Sequence, residues 1–496
     1  MSARYGAIVI GGGHNGLVAA ARLAKAGKRT LVLEAQERLG GLAASETLDG
    51  HEVPLGAHLL YAFAPAVERA LELQRHGLSY VQRALATTAI AADGRQLALG
   101  PADGSAALQK RLLAFAKALA PFCAKPPPRP VDNTWGERWS LFKLALRLRR
   151  LGKRELGEFL RIVLLPLADL LNDELDDELL KAALAFDGLV GTRLAPRSPG
   201  GVLAWLYRLH GRAAGAAPLA LPKGGVAGLI AALERAAREA GAEIRTGAPV
   251  SRVLVDIDRA KGVVTGAGEE IAADVVLSTA DPKRTFLEFL GPRVLETGTQ
   301  RQVERLRARG MVAKLDLIAD GLPETLAQGR VLLVDSLDAL EESFDGAKYG
   351  EAPPVLAAEL VAPGLLSGDR SSRHLSAILT YVPTRCREAD GRQRIEGAAL
   401  ALLEQRFPGL TGRVAASRLL LPEDYEARLG LAGGDWHQGE TTIEQLFFLR
   451  PFAEASQYAT PIGGLYLAGA GAHPGGHLTG LPGWNAAGAA LKEKRA

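Results

Sequence analysis

The stretch Tyr5-Gly-Ala-Ile-Val-Ile10-Gly-Gly-Gly-His-Asn-Gly16-Leu-Val-Ala-Ala-Ala-Arg-Leu-Ala-Lys25 decides the fold, together with Thr30-Leu-Val-Leu-Glu34 just after it. The apolar run from Tyr5 to Ile10 reads as a short buried strand. Gly16 to Lys25 reads as an Ala-rich helix, and Thr30 to Glu34 as a second strand. Strand, turn, helix and strand within about 30 residues make one βαβ unit. Gly11, Gly13 and Gly16 place G-x-G-x-x-G at its turn. With 57 glycines in 496 residues, the bare pattern arises by chance about 0.7 times per chain, so its place between strand and helix gives it meaning. Gly11 permits the tight turn, Gly13 lets a pyrophosphate approach the backbone, and Gly16 lets helix and strand pack closely. The N–H groups opening the helix, around His14 and Asn15, then face the phosphates.

Working outward, Glu34 closes the second strand with Ala35 beside it. A carboxylate there meets a ribose hydroxyl and disfavours a 2′-phosphate, which argues against NADP. Arg38-Leu-Gly40-Gly41 follows, a second glycine pair where backbone passes close to a cofactor, and no second G-x-G-x-x-G occurs. FAD is therefore favoured over NAD. Near the other end, Gly464-Leu-Tyr-Leu-Ala-Gly469-Ala-Gly471-Ala-His-Pro-Gly-Gly476-His-Leu-Thr479 reads as a buried strand feeding a glycine-rich turn and a helix through Leu478–Ala490. Such a helix start can donate to the flavin O2/N1 edge and stabilise a reduced, anionic ring.

The remaining chain suggests an interleaved second domain. Strands are expected at 242–245, 250–256, 262–265 and 274–278 beside a helix over 226–240. Further strands are expected at 313–318, 355–361 and 375–382, and a hairpin at Asp93-Gly94. Long helical patterns fill much of 62–220, and Pro126-Pro-Pro-Arg-Pro130 reads as a loop. The expected class is α/β: a discontinuous Rossmann-type FAD-binding domain (1–61, 221–285, 441–496) and a mixed α+β substrate domain (62–220 with a helical cap, 286–440). A length of 496 residues suits two such units.

Lys plus Arg exceeds Asp plus Glu by only 59 − 55 = 4, too little to argue for nucleic acid. Cys123 and Cys386 offer neither metal spacing nor a disulfide framework, and a reducing compartment follows. The N-terminus does not read as a signal peptide, and no apolar stretch reads as a spanning helix. The expected location is cytoplasmic. Residues 137–165 leave peripheral membrane contact open: from Glu137 to Arg161 there are eight basic and three acidic residues with Trp139, Phe142 and Leu146 among them. The alternative is a helix with a solvated basic face covering the substrate domain.

The sequence resembles the phytoene desaturase branch of the flavin amine oxidase superfamily nearly end to end. The segments that carry the likeness are VIGGGHNGLVAAARLAKAGKRTLVLEAQERLGG, PKGGVAGLIAALERAAREAGAEIRTGAPVSRVLV, ADVVLSTADPKRTF, DWHQGETTIEQLFFLRP and GLYLAGAGAHPGG. GHNG, DPKRTF and QLFFLRP resemble most the flavoproteins named pyridine nucleotide-disulfide oxidoreductase domain proteins. The resemblance implies noncovalent FAD, with phosphates at Gly11, Gly13 and Gly16, ribose at Glu34 and adenine beside the Val250 backbone. It also implies that the flavin ring passes near Gly40, Gly41, Leu42 and Ala43, near Gly56, Ala57 and His58, and near Gly476, His477, Leu478 and Thr479. Two positions depart from the pattern: Leu42 stands where many related amine oxidases carry Arg, and the turn after Gly475 reads Gly-His-Leu-Thr.

Flavin chemistry removes a hydride and leaves a proton to be handled, so His58 and His477 are the catalytic candidates and His473 a lesser one. Each can equally be a histidine bonded to backbone in a tight turn. Arg450 is expected to pair a carboxylate at the domain interface. The leading function is dehydrogenation, or desaturation, of a small lipophilic substrate, polyene- or isoprenoid-like, with oxygen or quinone as electron acceptor and no metal. Amine oxidation and a non-catalytic FAD-bound scaffold are the competing readings, and a homo-oligomer is compatible with all of them.

Overall fold

The computed structural model describes residues 4–129, 134–291, 293–354 and 356–493. Pro130 of the proline run and Val355 of the expected 355–361 strand lie outside the described residues.

The Tyr5–Ile10 strand and the His14–Lys25 helix form as their patterns dictate, and Thr30–Leu33 returns parallel to the first strand. The helix buries Leu17, Val18, Ala19, Ala20 and Ala21. Small side chains on that face let it nest against the Leu481–Ala490 helix, where a Cβ on Gly483 would overlap the Asn15 carbonyl oxygen. Around this unit a seven-stranded sheet gathers strands from distant parts of the chain. Glu270–Ser278 pairs in parallel with Tyr5–Ile10 and with Leu465–Leu467, while Glu243–Arg245 pairs in parallel with Thr30–Leu33. Val250–Asp256 and Arg259–Thr265 extend the sheet antiparallel. The parallel strands read as continuous apolar runs because helices cover both faces.

A second seven-stranded sheet runs in the order Val414–Leu420, Val312–Ala319, His374–Thr380, Ala357–Val361, Arg330–Leu333, Thr87–Ile90, Gln96–Leu99. It is antiparallel except where Arg330–Leu333 meets Thr87–Ile90. The helices Ala106–Cys123, Glu178–Leu189 and Gly201–Ala213 pack beside it. The architecture is thus α/β with a Rossmann-type sheet and a mixed second unit. The hairpin at Asp93-Gly94 is present between Thr87–Ile90 and Gln96–Leu99. Three features differ from expectation. Arg330–Leu333 and Val414–Leu420 are strands that were not expected: the first opens on an arginine that finds buried partners in Thr87, Asp187 and Glu359, and the second pairs along Val312–Ala319. A further hairpin, Ser45–Leu48 with His51–Pro54, turns at Asp49-Gly50, both at positive φ. The last helix begins at Leu481 rather than Leu478, because His477 and Leu478 take φ of 67° and 54°, a conformation a helix does not contain. Among the described residues, no helix is long and apolar enough to cross a membrane.

Candidate functional site

A cleft of about 280 Å³ lies over the carboxyl ends of the parallel strands, the place where such sheets bind nucleotides. Gly11, Gly13, His14, Asn15, Gly16, Glu34, Ala35, Gly40, Gly41, Leu42, Val250 and Gly469 all line it. A Cβ on Gly16 would overlap the Gly11 carbonyl oxygen, and one on Gly11 would overlap the Thr279 hydroxyl. Those two glycines serve packing. Gly13 differs: its nearest neighbour would be the Gly40 carbonyl at 3.8 Å, so the space above it is open to a ligand. Glu34 is buried at 8 % exposure. It accepts from the Gly12 amide at 2.6 Å and the Gln36 amide at 2.9 Å, which fixes its carboxylate at the strand end.

A nucleotide with a flavin ring fits these residues on two further counts. The buried Asn15 Oδ1 and Trp436 Nε1 have no protein partner, and both side chains line the cleft. An unmet buried polar atom costs about 1–3 kcal/mol, which a ligand atom at each position would offset. Thr279, Arg284, Trp436 and Gln438 complete the wall, and sequence reading did not place them there. The signal existed in part: Thr279 directly follows the strand paired with Tyr5–Ile10.

His14, Leu42, Trp436 and Ala470 are shared with a second, smaller cavity of about 90 Å³. Ala57, Gly476, His477 and Leu478 belong to its wall, as does His437 of the DWHQGETTIEQLFFLRP segment. The rings of His437 and His477 lie 4.7 Å apart. Glycine makes room for this pair: a Cβ on Gly476 would overlap His437 Cδ2, and one on Gly191 would lie 2.9 Å from its Cε1. Burial pushes His437 down to about 3, helped by the Arg450 and Arg208 charges. Burial also holds His477 well below the usual imidazole range, with His437 and Arg208 adding to it. Both rings are therefore neutral at ordinary pH. His437 Nδ1 has no protein partner.

Tyr61 and Arg208 are shared in turn between the small cavity and a larger one of about 500 Å³. Leu99, Leu113, Leu184, Trp205 and Leu209 give this antechamber apolar walls. The Arg208 guanidinium lies over the Tyr61 ring, 5.1 Å from its centroid, so the two side chains together form the boundary, or neck, that the two cavities share.

Other sequence candidates lie behind these walls. His58 is 1 % exposed, with Nδ1 at 2.9 Å from Ser376 Oγ and Nε2 at 2.7 Å from Glu359 Oε1. It lines none of the three cavities. Tyr61 donates to the same Glu359 carboxylate, which also accepts from Arg330 at 2.7 Å. His58 thus stands one residue behind the neck, its pKa lowered by burial against the raising effect of Glu359. Ala43 and Gly56 pack beneath the ring-side loop, where a Cβ on Gly56 would lie 2.9 Å from the Leu42 carbonyl. The Gly471 amide donates to Gln438 at 2.9 Å. Thr479 Oγ1 accepts from the Leu481 amide and caps the last helix. His473 is fully buried, donating to the Phe122 carbonyl at 2.8 Å and accepting from the Tyr207 hydroxyl at 3.1 Å. Arg450 corrects its expectation. It is buried against carbonyls, donating to His437 at 2.6 Å and Ala470 at 2.9 Å, and no carboxylate pairs with it among the described residues. It pins the His437 segment to the C-terminal turn.

Residues 16–489 match the family described as flavin containing amine oxidoreductase. A pyridine nucleotide-disulfide oxidoreductase domain-containing protein 2 from Mus musculus is 30% identical, over 97% of this chain and 92% of its own. A zeta-carotene-forming phytoene desaturase from Myxococcus xanthus is 30% identical over 53% of this chain and 49% of its own. An oxidoreductase from Methanosarcina mazei shares the fold, with TM-score 0.62 at 18% identity, covering 98% of this chain and 100% of the other. The resemblance expected from GHNG, DPKRTF and QLFFLRP is borne out by the first of these. Because the match runs through almost the whole chain and the cleft has the shape and donors a flavin nucleotide needs, the chain belongs to the flavin containing amine oxidoreductase family and is a flavin-dependent oxidoreductase.

Proposed function

We propose that this chain is an FAD-dependent dehydrogenase that desaturates a lipophilic, polyene- or isoprenoid-like substrate. The observation that carries the reading is the largely apolar antechamber that shares Tyr61 and Arg208 with the small cavity beside Leu42 and Trp436; we read the two as one approach to the flavin. The half-length likeness to a phytoene desaturase supports it. FAD, when bound, would supply the two-electron acceptor for the substrate's hydride, with oxygen or a quinone as the final acceptor. The chain's own residues do the rest. The turn that Gly11 and Gly16 shape, open to the ligand at Gly13, takes the phosphates together with the start of the His14–Lys25 helix, Glu34 takes the ribose and the Val250 backbone the adenine. Leu42, Ala57 and Leu478 exclude water from the reacting space. His437 and His477 both line the small cavity as neutral imidazoles, and one of them receives the substrate proton; His437 Nδ1, which has no protein partner, is free to take it.

A protonated amine suits this passage poorly. Lys110, Arg208 and Arg212 line it, and its carboxylate, Asp187, is held by Arg330 at 2.7 Å. Noncovalent binding of the cofactor is supported by the linings of the cleft and the small cavity, which include neither cysteine. The Trp135–Arg149 helix supports a membrane as the source of substrate. It has no buried residue, and Trp135, Trp139 and Phe142 are exposed beside its basic residues.

Anaerobic titration of the purified holoprotein tests the reaction. Bleaching of the flavin absorption by isoprenoid chains and not by primary amines is the expected result. Bleaching by amines alone, or by neither class, overturns the reading.

A further inference from the structure

The antechamber combines two properties that a passage for a plain hydrocarbon does not need. Its walls are apolar, yet three cations face into it: Lys110, Arg208 and Arg212. Their placement follows from helix periodicity. Trp205, Arg208, Leu209 and Arg212 fall on one face of the Gly201–Ala213 helix, and Ala106, Gln109, Lys110 and Leu113 on one face of the facing Ala106–Cys123 helix. Lys110 and Arg212 are exposed at the rim, whereas Arg208 is partly buried at the neck. Among the described residues no carboxylate forms an ion pair with any of the three. Arg208 has only the Tyr61 ring and the Val190 carbonyl at 3.5 Å. The carboxylate in the wall, Asp187, is spent on Arg330, which also binds Glu359.

Arg208, partly buried in a concave wall, produces a positive potential that water screens less than at an open surface, and Lys110 and Arg212 add to it from the rim. A hydrocarbon entering this space gains nothing from that potential, and an ammonium is repelled by it. An anion is attracted at the rim by Lys110 and Arg212 and meets a guanidinium fork at Arg208, which matches the geometry of carboxylate and phosphate oxygens.

We propose that the substrate is an amphiphile, an apolar chain ending in a carboxylate or phosphate, and that Arg212, Lys110 and Arg208 bind this anionic end in the antechamber. This inference rests on reading the antechamber as the approach to the flavin. It makes Arg208 a specificity-determining residue that sets how deeply the chain reaches into the small cavity.

Calorimetric titration of the holoprotein with octanoate, octyl phosphate, octanol and octylamine tests it, because the four share one chain and differ in head charge. At least one anion binds about tenfold or more tightly than octanol, and octylamine binds more weakly than octanol. The tighter of the two anions identifies the head group. Arg208→Gln removes most of the anion preference. Because Arg208 also packs on Tyr61, Arg212→Gln and Lys110→Gln at the exposed rim repeat the test without altering the neck, each cutting the preference about threefold. Equal binding of octanol and both anions, tighter binding of octylamine, or unchanged preference in all three variants overturns the inference. Flavin bleaching recorded on the same protein separates the two claims. Bleaching by a substrate without anion preference removes only the anionic head, whereas anion preference without bleaching by any substrate removes the dehydrogenase and leaves the binding site.

Discussion

At the scale of single residues, the nucleotide turn separates glycines that serve the fold from a glycine that serves the ligand. Gly16 has no room for a methyl group, since its Cβ would overlap backbone at Gly11 that cannot move away. Gly13 has room, and its Cβ would point into the cleft. Gly16→Ala therefore destabilises the protein, by about 1–3 kcal/mol on the scale of overpacked sites. Gly13→Ala keeps its stability within about 0.5 kcal/mol and loses flavin retention. Thermal unfolding of the two apoproteins, with flavin content measured on the purified holoproteins, checks both outcomes. Equal effects of the two substitutions on unfolding would refute the distinction. The same scale explains why His58 and His477 part company. Both lie in glycine-containing loops, Gly56-Ala57-His58 and Gly475-Gly476-His477, but His477 stays on a cavity wall while His58 turns into the polar lattice around Glu359.

At the scale of elements, the Trp135–Arg149 helix is the outlier. A surface helix normally buries an apolar stripe, yet none of its residues is buried and its aromatic rings face out, with Trp139 stacked on Phe142 at 5.3 Å. The following Lys153–Ile162 helix buries Phe159 and Ile162 and leaves Leu160 exposed. Interfacial helices combine such rings with cations. Wild-type protein is expected to float with liposomes containing anionic lipid. Arg147→Glu, Arg149→Glu and Arg150→Glu together abolish flotation, and Trp139→Ala with Phe142→Ala weakens it. Because nothing on this helix is buried, each variant changes stability by less than about 1 kcal/mol. Failure of the wild type to float ends the membrane proposal.

At the scale of the whole molecule, buried histidines set the dependence of stability on pH. Burial lowers His437 and His473 to about 3 from an ordinary value of 6.5. The unfolded chain then takes up protons first. The stability linked to each is present above 6.5 and is lost as pH falls toward 3, at up to about 1.4 kcal/mol per pH unit. Asp435 acts in the opposite sense. Burial raises it to about 6, so its contribution is greatest below the ordinary carboxylate value of 3.8 and fades as pH rises through 6. Two histidines outweigh one aspartate between these limits, and His477 adds to their side. The denaturant midpoint is expected to fall between neutral pH and pH about 5. A midpoint that rises over that interval would contradict the burial of these imidazoles.

The βαβ unit, its phosphate turn and the Glu34 position were legible in the chain because their chemistry is local. A glycine, a strand end and a helix start within about 30 residues carry the whole signal. The Asp93-Gly94 hairpin was legible for the same reason, and Asp49-Gly50 carries the same turn signal between shorter, more polar strands. Arg330–Leu333 was hidden, since its leading arginine reads as surface until Asp187, Glu359 and Thr87 are seen around it. The cavities were hidden more deeply. Tyr61 meets Arg208, and Trp436 meets Leu42, across sequence separations that no periodicity encodes. The sequence by itself determined the flavin fold and its phosphate turn. Only the tertiary structure decided which histidines face the reaction, which arginines stay unpaired and where the substrate passage runs, because those depend on side chains brought together by packing between two sheets.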